Sequence, residues 1–176
     1  IKPREVSDGP VKENVMVGDK VDVLKFPAPK WHEKDGGRYI GTGDCVITRD
    51  PDEGWVNIGD YRVMIHDQKT LGIFISPPHH GMIHINKYWE KGKDAPIVIA
   101  TGCSPALFMA SGTNLPWGYS EYDFAGGLMG KPVDVIIDED TGLPIPATAE
   151  IAIIGHLKKG ELKEEGPFGE CTGYAI

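Results

Sequence analysis

Apolar and polar positions alternate or form short apolar runs along most of this chain, and the pattern predicts more strands than helices. Alternation over Lys20–Phe26 and on both sides of the Asp50–Gly54 turn is typical of β-strands, as is the apolar run Ala95–Thr101. The predicted strands cover residues 20–26, 39–48, 55–66, 71–76, 95–101, 132–138 and 147–157. The second to fourth strands are expected to form an antiparallel meander, and the last two a hairpin with an irregular loop.

Helical periodicity is confined to short segments. The residues from Gly81 to Lys91 place apolar side chains on one face and end before Gly92, and shorter helices are predicted at residues 105–110 and 121–129. The strand-helix-strand rhythm of a doubly wound sheet is missing. We therefore predict one domain over residues 1–176 that is mostly β with short helices (α+β), built as a closed or split β-barrel.

Composition narrows the class of protein. The 176 residues are 40% hydrophobic and carry 18 basic against 26 acidic side chains, a net charge of −8. An acidic body without a basic patch argues against nucleic acid as a partner, and no apolar run is long enough for a membrane span. Three separated cysteines suggest reduced thiols and a cytoplasmic protein. Because the chain starts at Ile1 and ends abruptly, we expect a piece of a longer protein.

A histidine cluster is the densest group of side chains that could carry chemistry. His80 and His84 are four residues apart, a spacing that puts two imidazoles on one helix face and suits a divalent metal. No glutamate stands where a zinc-protease motif needs one. Structural or solvent-facing histidines are the favoured interpretation, and a two-histidine zinc hydrolase is an open alternative.

Two further segments carry charged groups in constrained backbone. Glu165 and Glu170 flank a glycine- and proline-containing stretch, where a partly dry environment could make one carboxyl group a general acid; a charged surface turn is the alternative. Arg62 and Asn57 lie in the same predicted strand, and they share a face only if Gly59 lies in a bulge. Such an arginine could hold a carboxylate or phosphate, or it could pair with Asp60 or Asp67. The glycine-rich residues 36–43 are a weak phosphate-loop signal, although they could let a cofactor approach the backbone.

Five blocks of sequence occur in a fixed order between residues 35 and 170. They are Asp35–Thr42 (DGGRYIGT), Asn57–Arg62 (NIGDYR), His79–Gly81 (HHG), Glu121–Gly127 (EYDFAGG) and Glu165–Glu170 (EGPFGE). Together they resemble the UbiD-type decarboxylases that depend on prenylated FMN. The resemblance implies a split β-barrel of the flavin-reductase or FMN-binding type. It also implies a (de)carboxylase that acts reversibly on an aromatic or α,β-unsaturated carboxylic acid.

The resemblance also implies a set of ligands. Asn57, His80 and Glu121 correspond to the ligands of a divalent ion, Mn²⁺ or Mg²⁺, held against the cofactor phosphate, with K⁺ nearby. The cofactor-binding positions that it implies are Thr42, Asn57, Ile58, Tyr61, Arg62, His79, His80, Pro116 and Glu121. A flavin prenyltransferase would supply the prenylated FMN.

The catalytic residues implied by the resemblance are Arg62, Glu165 and Glu170. Arg62 would orient the substrate carboxylate, Glu165 would hydrogen-bond Arg62, and Glu170 would deliver a proton to the carbon that loses CO₂, while the modified flavin accepts the released electrons. Whole family members add an α/β segment before this domain and an oligomerisation domain after it. A homo-oligomer is therefore expected of the full-length parent, and the alternative for this chain is a cofactor-binding module or subunit with no independent activity.

Overall fold

The computed structural model describes residues 1–170 and 172–175, and Cys171, one of the three cysteines expected to be reduced, lies outside them. The strands are β1 (Arg4–Glu5), β2 (Arg38–Gly41), β3 (Cys45–Arg49), β4 (Val56–Gly59), β5 (Val63–Ile65), β6 (Leu71–Ile73), β7 (Ala95–Thr101), β8 (Asp134–Ile137), β9 (Pro144–Pro146) and β10 (Ile151–Leu157). The helices are α1 (His80–Glu90), α2 (Pro105–Ser111) and α3 (Glu121–Met129). The domain is mixed α+β, mostly sheet with short helices, as the pattern predicts.

The strands of the described residues form three sheets. The central sheet has the strand order β10-β7-β3-β4, the second sheet β2-β5-β6, and the third sheet β1-β8-β9. Within the described residues the strand pairing does not close into a barrel. In this same part of the chain no helix is both long and apolar enough to cross a membrane.

The core lies on both faces of the central sheet. On one face, Val98 of β7 packs with Ile47, Leu107 and Tyr122. On the other face, Ile97 and Ile99 pack with Val46 and Val63. Because β7 is covered on both sides, all its residues but the last are buried, which explains why its sequence is a continuous apolar run rather than an alternating one.

Two predicted strands each become a pair of strands in different sheets. The segment predicted at residues 39–48 divides into β2 of the second sheet and β3 of the central sheet, and the segment predicted at 55–66 divides into β4 and β5 in the same way. The expected single meander is therefore wrong, although β3–β4 and β5–β6 are antiparallel pairs. The β3–β4 turn forms as predicted: Asp50 accepts hydrogen bonds from the backbone N–H groups of Asp52 and Glu53, and Gly54 takes φ of 76°.

Two other predictions need correction. Residues 20–26 form no strand but contribute to short 3₁₀ turns at Gly18–Lys20 and Val23–Lys25, where the Asp22 side chain caps the second turn by accepting from Leu24 N–H. The hairpin partner of β8 is β9 rather than residues 147–157, of which Ile151–Leu157 form β10 beside β7. Prolines are tolerated in β9 because it is the edge strand of the third sheet.

Candidate functional site

The site is built where the chain crosses between two sheets. Residues 42–44 carry the chain from the second to the central sheet, and residues 60–62 carry it back. The crossings touch: Asp44 N–H donates to Asp60 Oδ1 at 3.3 Å. Burial, together with Asp60, raises the pKa of Asp44 to about 9, so this buried carboxyl group is protonated at neutral pH. The second crossing presents Arg62.

Arg62 is held between two glutamates that come from the far end of the chain. Its Nε lies 3.0 Å from Glu165 Oε1 and 3.1 Å from Oε2, and its Nη2 lies 2.8 Å from Oε2. Its Nη1 lies 3.6 Å from Glu170 Oε1. The side chains of Arg62 and Glu165 are 11% and 8% exposed, whereas that of Glu170 is 37% exposed. We call these residues the Glu–Arg–Glu trio; the alternative pairing of Arg62 with Asp60 or Asp67 is not found.

Aromatic side chains enclose the trio. The Arg62 guanidinium carbon lies 4.6 Å from the centre of the Phe74 ring and 5.7 Å from that of Phe168. Tyr39, which is buried, donates from its hydroxyl to Glu165 Oε1 at 2.9 Å. These contacts hold the guanidinium and the inner carboxylate in one orientation.

The segment before β2 supports the two glutamates. Asp35 Oδ1 accepts from Gly169 N–H at 2.9 Å, and Gly36 N–H donates to the Pro167 carbonyl at 2.7 Å. Asp35, Tyr39 and Phe74 were absent from the predicted site residues. Asp35 and Tyr39 belong to the sequence block Asp35–Thr42, which indicates that they are part of the site. The block does not indicate that these two residues hold the glutamates.

A cleft of about 410 Å³ lies beside the second crossing. It is lined by six of the predicted cofactor-binding residues, namely Asn57, Ile58, Tyr61, His79, His80 and Glu121, together with Gly59, Asp60, Pro78 and residues 111–115. Thr42, Arg62 and Pro116 do not line it. Asp60 and Tyr61 thus face the cleft, while the next residue, Arg62, belongs to the trio.

The donors that could hold a divalent ion converge on this cleft. Glu121 and Asn57 are buried, Glu121 Oε2 accepts from Ile58 N–H at 2.7 Å, and burial raises the pKa of Glu121 to about 7. Asn57 Nδ2 is buried without a hydrogen-bond partner among the described residues. A buried amide N–H without a partner is costly unless an acceptor, such as a phosphate oxygen, occupies the cleft. The Asn57 amide oxygen, the His80 imidazole and the Glu121 carboxylate are the groups in the cleft whose chemistry suits a divalent ion. In the described chain no group of three His, Cys, Asp or Glu side chains is placed to hold a metal; of the three predicted ligands, His80 and Glu121 are of these types and the third is the Asn57 amide.

The two histidines of the predicted pair have different environments. His80 lies at the cleft, with its ring 5.5 Å from that of Trp55 and 5.3 Å from that of Trp117. His84 is fully buried, its Nδ1 lies 3.1 Å from Thr48 Oγ1, and burial lowers its pKa to about 4. This favours a structural role for His84 over the two-histidine zinc site.

The fold and the site define an α+β domain in which a largely buried guanidinium lies between two glutamates, next to a cleft of oxygen and nitrogen donors. The chain belongs to the UbiD family, because residues 4–176 match the family model described as the 3-octaprenyl-4-hydroxybenzoate carboxy-lyase Rift-related domain.

Relatives and solved structures agree with this membership. The pyrrole-2-carboxylic acid decarboxylase of Pseudomonas aeruginosa is 41% identical over 178 residues, covering 100% of this chain and 36% of the relative. The UbiD-class enzyme HmfF of Pelotomaculum thermopropionicum, solved with FMN, superposes with a TM-score of 0.93 at 33% identity, covering 100% of this chain and 40% of that one. Its evolved dimeric form, solved with prFMN, gives the same TM-score and identity, covering 100% and 41%. The chain thus spans well under half the length of these relatives.

Proposed function

We propose that this chain is the prenylated-FMN-binding domain of a decarboxylase that acts reversibly on a small aromatic or α,β-unsaturated carboxylic acid. The observation that carries the proposal is the trio: a guanidinium held rigidly by Glu165, with its free edge toward Glu170, beside a cleft that collects hard-ion donors. The P. aeruginosa relative, named for a heteroaromatic acid, supports this substrate class.

The proposal gives each edge of the guanidinium a task. Arg62 has five N–H donors, and Glu165 occupies the Nε edge and part of Nη2. The Nη1 edge is left for a substrate carboxylate, which would bind next to Glu170. Because Glu165 and Phe74 fix the plane of the guanidinium, the carboxylate is oriented before the reaction begins.

Glu170 is proposed to transfer a proton. When the carbon–carbon bond to the carboxylate breaks, CO₂ leaves and the electron pair stays with the substrate, whose carbon then takes a proton from the Glu170 carboxyl group. Prenylated FMN, when bound, supplies the electron sink for that pair. In the carboxylation direction Glu170 accepts the proton instead.

The cleft is proposed to hold the metal and the flavin phosphate. Asn57, His80 and Glu121 would bind Mn²⁺ or Mg²⁺, since amide, imidazole and carboxylate donors suit such an ion, and the ion would offset the buried charge of Glu121. Ile58, Tyr61 and His79 line the same cleft, so they are proposed to contact the flavin; Thr42 and Pro116 are proposed from the resemblance alone. The proposal also includes K⁺ near the divalent ion and a flavin prenyltransferase that supplies the cofactor. We further propose that the domain is a split β-barrel and that the full-length parent is a cytoplasmic homo-oligomer.

The exposure of Glu170 favours a second candidate function. With 37% of its side chain accessible, and Phe74 also exposed, water reaches the outer side of the trio and weakens its charge-dependent steps. This chain alone would then be a cofactor-binding module, with catalysis requiring additional protein that covers the trio.

The test is native mass spectrometry with an absorbance spectrum on the chain, expressed anaerobically together with a flavin prenyltransferase. We expect a bound mass equal to prenylated FMN plus one divalent ion. Turnover is then measured with pyrrole-2-carboxylate and with an aromatic α,β-unsaturated acid. Retention of the cofactor without turnover supports the module, whereas a chain that binds neither flavin nor ion contradicts both candidates.

Variants separate the ion site from the fold. His80→Ala and Glu121→Gln should each lower Mn²⁺ affinity by about 10–100-fold, measured by calorimetry or by Mn²⁺ electron paramagnetic resonance. His84→Ala is unsuitable as the control, because His84 is fully buried and its loss would destabilise the fold. His156→Ala, at an exposed position of β10, is the matched control and should leave affinity unchanged.

A further inference from the structure

Both glutamates of the trio lie on one irregular segment, residues 165–170, which we call the glutamate loop. It belongs to no strand. Within the chain's last residues its described backbone contacts are a bridge between Gly169 and Ala175 and two hydrogen bonds of Glu170, whose N–H donates to the Tyr174 carbonyl at 2.8 Å and whose carbonyl accepts from Gly173 N–H at 2.9 Å. These local bonds do not join the loop to the strands that flank Arg62. Apart from the contacts of Arg62 itself, the described hydrogen bonds that do so from a distant part of the sequence come from a second segment, residues 35–39, which we call the anchor segment.

Asp35 holds the end of the glutamate loop that carries Glu170. Its side chain is only 3% exposed; Oδ1 accepts from Gly169 N–H at 2.9 Å, and Oδ2 accepts from His32 N–H at 2.8 Å. Burial by itself would raise the pKa of Asp35, but the N–H groups of Gly169 and His32 outweigh it and hold that pKa below its ordinary value. The bonded amide immediately precedes Glu170.

Gly36 holds the middle of the loop by close backbone approach. Its N–H donates to the Pro167 carbonyl at 2.7 Å, and a Cβ built at this position would overlap the Gly166 carbonyl oxygen. A residue without a side chain is required here because two backbones meet, not because a cofactor phosphate approaches.

Tyr39 holds the end of the loop that carries Glu165. The hydroxyl donates to Glu165 Oε1 at 2.9 Å, and the ring centre lies 4.5 Å from that of Phe168. The anchor segment thus contacts loop positions 169, 167 and 165 from its residues 35, 36 and 39, running antiparallel to the loop without forming a sheet.

We propose that Asp35 is a positioning residue that places Glu170 against Arg62 through the Gly169 amide, and that Gly36 maintains the same arrangement. The proposal rests on the proposed function of the trio. In this scheme Asp35 contacts neither substrate nor cofactor. Its loss should therefore impair proton transfer by Glu170, while the binding of the substrate carboxylate to Arg62 should change little.

The experiment compares Asp35→Ala and Asp35→Asn with Asp138→Ala. Asp138 is the matched control, since it also accepts two hydrogen bonds, from the N–H and hydroxyl of Thr141, in the turn between β8 and β9. We expect Asp35→Ala to speed exchange of the Gly169 amide by at least about tenfold and to lower kcat by about 10–100-fold with KM changed less than about threefold. Asp35→Asn retains one acceptor oxygen and should recover part of kcat.

Gly36→Ala gives an independent check, with Gly155→Ala as its control because a Cβ at Gly155 meets no atom within 4 Å. Gly36→Ala should reproduce the kcat loss and lengthen the Arg62 Nη1–Glu170 distance in a crystal structure, while Gly155→Ala should do neither. Unchanged Gly169 exchange, or unchanged kcat despite faster exchange, in Asp35→Ala would overturn the proposal.

Failure of the proposed function is distinguishable from failure of this inference. A wild-type protein that decarboxylates no acid, even with cofactor bound and Glu170 intact, counts against the proposed function. The role of Asp35 is then decided by the Gly169 exchange rate and by the Arg62–Glu170 distance in Asp35→Ala. If either one matches the wild type, the positioning role is refuted.

Discussion

The two glutamates of the trio should contribute very differently to stability, and the comparison of Glu165→Gln with Glu170→Gln tests the assignment of their roles. Glu165 makes three contacts of 2.8–3.1 Å to Arg62, and both side chains are largely buried. Glu170 makes one contact of 3.6 Å and is far more exposed. Both substitutions preserve side-chain shape and remove one negative charge, so they form a matched pair.

The magnitude follows from burial. Removing one partner of a buried ion pair costs about 3–5 kcal/mol because the other charge is left uncompensated. Arg62 keeps Glu170 and the Phe74 ring in Glu165→Gln, and the glutamine oxygen can still accept one hydrogen bond, so about 2–3 kcal/mol is expected. Glu170→Gln breaks a partly exposed, longer contact and should cost less than about 1 kcal/mol.

The assay is urea denaturation followed by circular dichroism at pH 7, in which a shifted midpoint at constant slope reports the free energy of unfolding. Thermal midpoints should fall by about 4–12 °C for Glu165→Gln and by less than about 4 °C for Glu170→Gln. Turnover should fall sharply in both variants. A Glu170→Gln variant at least as destabilised as Glu165→Gln would refute the reasoning, and normal turnover in Glu170→Gln would refute its role as proton donor.

Three further predictions follow from other contacts. Because burial and Asp60 raise the pKa of Asp44 to about 9, the folded chain keeps a proton that the unfolded chain releases above about pH 4. The folded state of the wild type therefore loses stability as pH rises from about 4 to about 9. Asp44→Asn carries no such group, so the difference in Tm between this variant and the wild type should grow in favour of the variant from pH 5 to pH 8. A difference in Tm that does not change with pH would contradict this prediction. Trp117→Leu removes a ring packed against His80 and should weaken Mn²⁺ binding about 3–10-fold in calorimetry. An unchanged Mn²⁺ affinity would show that Trp117 does not orient His80 for the ion. Tyr39→Phe should lower thermal stability by about 1 kcal/mol through one lost hydrogen bond, and an unchanged Tm would show that water replaces it.

The local sequence pattern predicted several helices and strands correctly. The helix predicted from Gly81 to Lys91 is α1, within one residue at each end, and the apolar run Ala95–Thr101 is β7. Both are set by short-range periodicity and by glycine stops, which act over a few residues. The predicted residues Asn57, His80 and Glu121 also line one cleft, although they lie on β4, α1 and α3.

Strand boundaries could not be predicted as well from the sequence. A segment that passes from one sheet to another keeps the same apolar pattern, because both of its halves are strands. Residues 39–48 and 55–66 each read as one strand, yet each bends between two sheets at polar residues, Asp44 and Asp60, that meet in the fold. The pairing of β8 with β9 was equally hidden, since prolines argue against a strand until an edge position is known.

The sequence by itself determined the α+β class, the main helices, and the identity of Arg62, Glu165 and Glu170 as candidates, because these depend on composition, periodicity and motifs. Tertiary structure alone decided how the trio is held. Tyr39 lies 126 residues from Glu165, and Asp35 lies 134 residues from Gly169. No local rule connects positions so far apart: their contact depends on the packing of two irregular segments, whose hydrogen-bond partners are fixed only when the whole domain has folded.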